Sequence, residues 1–134
     1  MTVNHTHPLF ESGVYYAARP RPTQGDLTVD LSHFTKMDSL LGKLGKALHF
    51  PEWYGENLDA LYDCLSMPEW PENPSPTTIH ITGLTHFSRQ HALEFQALID
   101  VLTAAMAARQ AENAAPIQLL LDVKHADLPP WPPK

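Results

Sequence analysis

"FPEWYGENLDALYDCL", residues 50–65, sets two adjacent aromatics, a glycine and four carboxylates into one short stretch. Asn57 is a natural helix N-cap and Pro68 a natural stop, so the spacing predicts a helix of about nine residues starting at Leu58. At ~100° per residue, Leu58, Leu61, Cys64 and Leu65 share one broad side, with Ala60 flanking. Asp59, Asp63 and Ser66 take the opposite side, Glu56 lies just before the helix, and Tyr62 sits at the border. The apolar side reads as core, and Cys64 as a small buried filler rather than a reactive thiol.

The polar side breaks a local rule. A carboxylate at Asp59, in the first turn, suits the helix dipole, whereas Asp63 in the last turn opposes it. The two acids also stand at i and i+4, a like-charge pair that costs roughly 0.2 to 0.5 kcal/mol. Local stability would prefer Lys or Arg at position 63. A rule broken without visible compensation hints at function, although a solvated acidic face is the plainer reading.

The surrounding charge has the same sign. No Lys or Arg occurs between Lys46 and Arg89, while that interval holds Glu52, Glu56, Asp59, Asp63, Glu69 and Glu72. The whole chain of 134 residues carries a formal net charge of -6. That balance argues against a nucleic-acid backbone or an anionic membrane as partner and favours a basic protein. Apolar residues make up 43% and charged residues 18%, a globular composition for one domain with a real core. Cys64 is the single cysteine, which excludes an internal disulfide and suits a reducing compartment. The opening "MTVNHTHPLF" lacks the pattern of a signal peptide, and no apolar run reaches membrane-spanning length. The expected location is the cytoplasm.

Outward from the central stretch, the chain alternates strands and helices. "GVYYA" at 13–17 is a short apolar patch within an N-terminal arm, 1–25, and reads as an edge strand or as an arm packed on the domain. In "LTVDL", 27–31, Leu27, Val29 and Leu31 alternate as in a half-buried strand. Thr35 is placed to cap the next helix, with Asp38 three residues on. That helix buries Leu40, Leu41, Leu44, Ala47 and Leu48. Gly42 and Gly45 each cost it roughly 1 kcal/mol of helicity, and Pro51 ends it. "MPEWPENPSP" is loop. "TTIHITGL" is a second strand, with Ile79 and Ile81 inward and His80 toward solvent. Ser88 is placed to cap a long helix over about 89–111, with Phe95, Leu98, Leu102 and Met106 at helical spacing. "IQLLLD", 117–122, is a third strand with the apolar run of a sheet covered by helices. The tail, 123–134, is Pro-rich and expected to be extended and mobile. Strands separated by helices imply an α/β fold with a small three-stranded parallel sheet.

At this point the run from Pro51 to Leu65 resembles the signature segment of the barstar family, small intracellular inhibitors of secreted microbial ribonucleases. In that family a Pro-acid-aromatic-aromatic-Gly-x-Asn-x-Asp-Ala-Leu run forms the binding loop and helix. The order of elements agrees with the family over 26–122. The resemblance implies a non-enzymatic, cofactor-free inhibitor that plugs a ribonuclease cleft. Asp63 would occupy the pocket for RNA phosphate, answered by Arg and His side chains of the enzyme. Asp59 would pair with neighbouring basic groups, and Trp53 would stack over the catalytic histidine, where the family more often has Tyr. Asn57 and Tyr62 would line the contact, and Glu56 and Ser66 complete the candidate set. The family also uses an acid near the end of its last long helix. Glu112 is an unaligned counterpart here, and Trp70 or Glu69 are candidates to extend the interface.

Three other readings stand beside this one. Glu56, Asp59 and Asp63 could serve as an acid/base pair, but carboxylates at i and i+4 of a surface helix face the same way instead of flanking a cleft. Eight histidines suggest metal binding, with "HTH" at 5–7 the best short run; His86 and His91, five apart, do not share a helical face. Finally, an immunity protein or antitoxin against a different toxin, or a binder of a non-nuclease partner, would keep the same scaffold and acidic surface.

Overall fold

Alternating inward residues on four strands and apolar stripes on the helices meet in one continuous core. The computed structural model describes residues 11–18, 22, 23, 25–71 and 77–132. Its elements run β1 (Gly13–Tyr16), β2 (Leu27–Asp30), α1 (Met37–Ala47), α2 (Leu58–Ser66), β3 (Thr77–Thr82), α3 (Thr85–Gln90), α4 (Ala92–Ala111) and β4 (Ile117–Leu121). The sheet is wholly parallel, in the order β1-β4-β3-β2. It therefore has four strands where the sequence suggested three. "GVYY" is the additional one, an edge strand whose Val14 pairs with Leu119 of β4. A four-residue strand without alternating polarity gives little sign of which neighbour it will find.

Val14, Val29, Ile79, Ile81, Ile117, Leu119 and Leu121 point to the side that all four helices cover. The stripe of α4 is as its spacing predicts, with Phe95, Leu98, Leu102 and Met106 buried. The other side of the sheet has no helix among the described residues. There Tyr15, Ala17 and Leu120 form a second, smaller cluster with Trp131 against it. The helices expected to cover the sheet thus lie on one of its faces.

Trp131 comes from the tail, which docks instead of trailing free. Tyr16 N–H donates to the Pro129 carbonyl and Trp131 N–H to the Tyr16 carbonyl, each at 2.8 Å. The Trp131 ring meets Tyr15 edge-on at 4.9 Å. This pairing covers the outer edge of β1, the kind of exposed edge that otherwise invites strand addition.

Several local expectations need correction. α1 begins at Met37 with Lys36 as N-cap and no side-chain cap bond, so Thr35 caps nothing. It ends at Ala47, before Pro51 can interrupt it. The long helix is two: Ser88 lies inside α3, where its hydroxyl donates to the Thr85 carbonyl, and the chain breaks at His91 before α4 begins. His80 faces away from Ile79 and Ile81, as alternation requires, yet it is buried. Its Nε2 meets the Asp26 carboxylate at 2.9 Å, because the turn before β2 folds over that face. Leu27, which alternates with Val29 and Leu31 as in a half-buried strand, is 40% exposed on the edge strand while those two are buried.

Candidate functional site

The acidic stretch divides into a loop held against α1 and a helix held against α4. The helix is as the sequence predicts. Asn57 is its N-cap, and the Asn57 side-chain carbonyl accepts from Ala60 N–H at 2.8 Å. The side chain thus satisfies one of the amides that every helix start leaves open. Met67 is the C-cap, directly before Pro68. Leu61, Cys64 and Leu65 are fully buried. Burial, with Asp63 adjacent, pushes the Cys64 thiol up to about 11, so it is neutral at physiological pH and serves as filler.

Asp59, Tyr62 and Asp63 are exposed on the opposite side, and Ser66 is half-buried, its hydroxyl donating to the Tyr62 carbonyl at 2.7 Å. That bond turns Ser66 back onto its own helix. Neither Asp59 nor Asp63 belongs to an ion pair among the described residues. The loop before the helix continues the surface. Trp53 is 57% exposed, and Glu52, Glu56 and Asn57 are exposed as well. Glu56 has φ of 54°, a left-handed backbone that a non-glycine residue adopts only where its surroundings enforce it. The structure thus brings Trp53, Glu56, Asn57, Asp59, Tyr62 and Asp63 onto one continuous outer segment, with Ser66 at its end.

What enforces the loop is its inward-facing residue. Tyr54 lies between exposed Trp53 and Gly55 and packs down onto α1. Its hydroxyl donates to the Leu41 carbonyl at 2.9 Å, and its ring meets Phe50 edge-on at 5.0 Å. Phe50 in turn meets Trp70 at 5.3 Å, and the Trp70 indole donates to the Leu48 carbonyl at 2.8 Å. Trp70 is buried, which removes it from any interface; Glu69 beside it is exposed, and Glu72 lies outside the described residues.

The sequence reading missed the residue beneath the helix. Arg109 of α4 is fully buried and donates to the carbonyls of Leu65 at 3.0 Å, Met67 at 2.9 Å and Ala115 at 2.7 Å. Its guanidinium lies 5.7 Å from the Trp70 ring centre, within cation–π reach. Three carbonyls and the negative end of the α2 dipole thus stand in for a carboxylate. Position 109 falls three residues after Met106 on the buried stripe of α4, and that spacing is the signal from which it could have been found. Glu112, by contrast, is an exposed residue at the C-cap of α4.

Other chemistry is sparse. No group of three or more His, Cys, Asp or Glu residues that could hold a metal occurs among the described residues, and "HTH" at 5–7 lies outside them. His91 pairs with Glu94 at 3.2 Å, and His125 contacts Gln96 at 3.0 Å while its ring meets Phe95. Among the described residues, no helix is long and apolar enough to cross a membrane.

The chain is thus a parallel α/β protein with an acidic and aromatic loop and helix on its surface. The family described as Barstar (barnase inhibitor) matches residues 25–122, and the chain belongs to it. Members of that family inhibit barnase-like ribonucleases. A search of curated proteins finds no match.

Proposed function

We propose that this protein inhibits a basic microbial ribonuclease by placing the loop and helix of residues 51–66 in its active-site cleft. Asp63 takes the place of an RNA phosphate, Asp59 pairs with basic groups at the rim, and Trp53 stacks on the enzyme's catalytic imidazole. Glu56, Asn57, Tyr62 and Ser66 line the remainder. The observation that carries this reading is the pair of exposed aspartates, four residues apart on one helix, with no ion-pair partner among the described residues. An acidic surface speeds encounter with a cationic enzyme, and a desolvated, fully paired carboxylate slows release. Inhibition of this kind needs no cofactor and no catalysis by the inhibitor.

Titration into barnase or another small guanyl-specific ribonuclease, with RNA cleavage as readout, tests it. Wild-type protein inhibits, and Asp63→Ala weakens inhibition by about 2 to 5 kcal/mol, the usual cost of truncating one partner of a buried charge pair. That range is itself set partly by measurements on barnase and its own inhibitor. Equal inhibition by wild type and Asp63→Ala would remove Asp63 from its assigned role.

A further inference from the structure

Tyr54 descends onto α1 at a point where α1 has no side chain. A Cβ added at Gly45 would lie 2.4 Å from Tyr54 Cε2, 2.6 Å from Cδ2 and 3.4 Å from Cζ. Real Cβ contacts do not come so close, and the atoms in the way belong to a ring that is pinned at both ends. At one end its hydroxyl is bonded to Leu41; at the other its own N–H donates to the Pro51 carbonyl at 3.0 Å. The Gly45 carbonyl also accepts from Phe50 N–H at 3.0 Å. Gly45 is therefore used twice, once for the room it leaves and once for the backbone that starts the loop. One turn earlier, Gly42 leaves room of a different kind. A Cβ there would lie 2.9 Å from a Glu56 carboxylate oxygen, the free end of a side chain that can swing away.

Glycine inside a helix is unfavourable on propensity, by loss of backbone entropy. α1 carries two, both facing the loop. We infer that Gly45 is a positioning residue for the recognition loop: the gap in its side-chain row is the seat of Tyr54. That seat fixes the direction in which neighbouring Trp53 leaves the surface. Calling the loop a recognition loop rests on the function proposed above; the seat itself is a property of the free protein. A seated loop presents Trp53 and the Asn57-capped helix already ordered, so association does not have to order them.

Amide hydrogen exchange on the free full-length protein tests the seat, with Gly45→Ala and Gly42→Ala in parallel. Both variants gain the same helix propensity, but only the first meets a fixed ring. Gly45→Ala should speed exchange at Tyr54 and Ala60 at least tenfold over wild type, while β3 and α4 amides keep wild-type protection. Gly42→Ala should leave Tyr54 exchange unchanged. Unchanged loop exchange in Gly45→Ala, a uniform rise through the whole protein, or an equal rise in both variants would each overturn the inference. If Gly45→Ala does not fold, Tyr54→Leu, which empties the seat, must give the same localised rise for the inference to stand. Dissociation from barnase, measured on the same proteins, reads the other question. At least tenfold faster release for Gly45→Ala is expected. Failure of wild type to bind barnase would count against the proposed target and leave the exchange result to decide the seat.

Discussion

Arg109 donates to the Leu65 carbonyl across 3.0 Å, so the positive charge absent from the last turn of α2 arrives from α4. The compensation that Asp63 lacks within its own helix is supplied from beneath. It acts on the helix terminus and leaves the Asp63 carboxylate exposed. Arg109→Met keeps much of the buried volume but abandons three carbonyls, at Leu65, Met67 and Ala115. A loss of about 2 to 4 kcal/mol in unfolding free energy by urea titration is expected. No loss would mean that the carbonyls find other donors.

Asp63 itself should show opposite effects on folding and binding. Asp63→Lys removes the like-charge pair with Asp59 and places a cation at the helix C-terminus. The free protein should gain roughly 0.5 to 1 kcal/mol while losing measurable inhibition. Thermal melts and ribonuclease assays on the same preparation check both signs.

Asn57→Ala deletes the bond to Ala60 N–H and should cost about 1 kcal/mol, whereas Asn57→Asp keeps an acceptor and should cost little. Chemical denaturation of the two variants separates cap loss from any other role of the side chain.

Alkaline pH should weaken the fold. Burial, followed by the neighbouring Asp63, pushes Cys64 up to about 11 from an ordinary 9.0. Burial is also the main cause that raises Tyr54. Both groups hold their protons in the fold after the unfolded chain has begun to release its own. Stability is therefore fully present below about pH 9 and declines as pH rises through the folded values. Denaturation midpoints should fall from about pH 9 upward, and Cys64→Ala should flatten the decline between 9 and 11.

Trp131→Ala should destabilise by about 1 to 2 kcal/mol, because the ring is half-buried against Tyr15. Inhibition should be unchanged, since Trp131 belongs to the small cluster on the sheet face away from the helices. Reduced inhibition at full folding would place the tail in contact with the enzyme.

The central helix was legible because its limits are chemical: Asn57 can cap, Pro68 cannot continue, and the apolar spacing between them has one period. The inward side chains of β3, β4 and α4 were legible for the same reason. Thr35 and Ser88 misled because a hydroxyl before an apolar stripe looks like a cap wherever it sits. The position of the first helical residue is decided by how the preceding loop packs. His80 was assigned the correct side of its strand and the wrong surroundings, because alternation gives a direction and not what lies there. The spacing along α4 marks Arg109 as inward-facing, but neither its carbonyl partners nor the role of Gly45 can be read from a single element. Each acquires its role from a partner in another element, Leu65 in one case and Tyr54 in the other.

Strand order also governs when the folded protein can exist. During synthesis β1, β2 and β3 are complete well before β4, yet β4 lies between β1 and β3, and β1 has its other pairing with Pro130. Until Ile117–Leu121 is made, β1 has no neighbouring strand and the sheet lacks one of its two interior strands. Parallel sheets with such distant pairings close slowly and late. A ribosome that stalls ahead of Ile117 would release a chain that already carries every acidic and aromatic residue of the binding segment. That chain would still lack the scaffold that holds the segment in one shape.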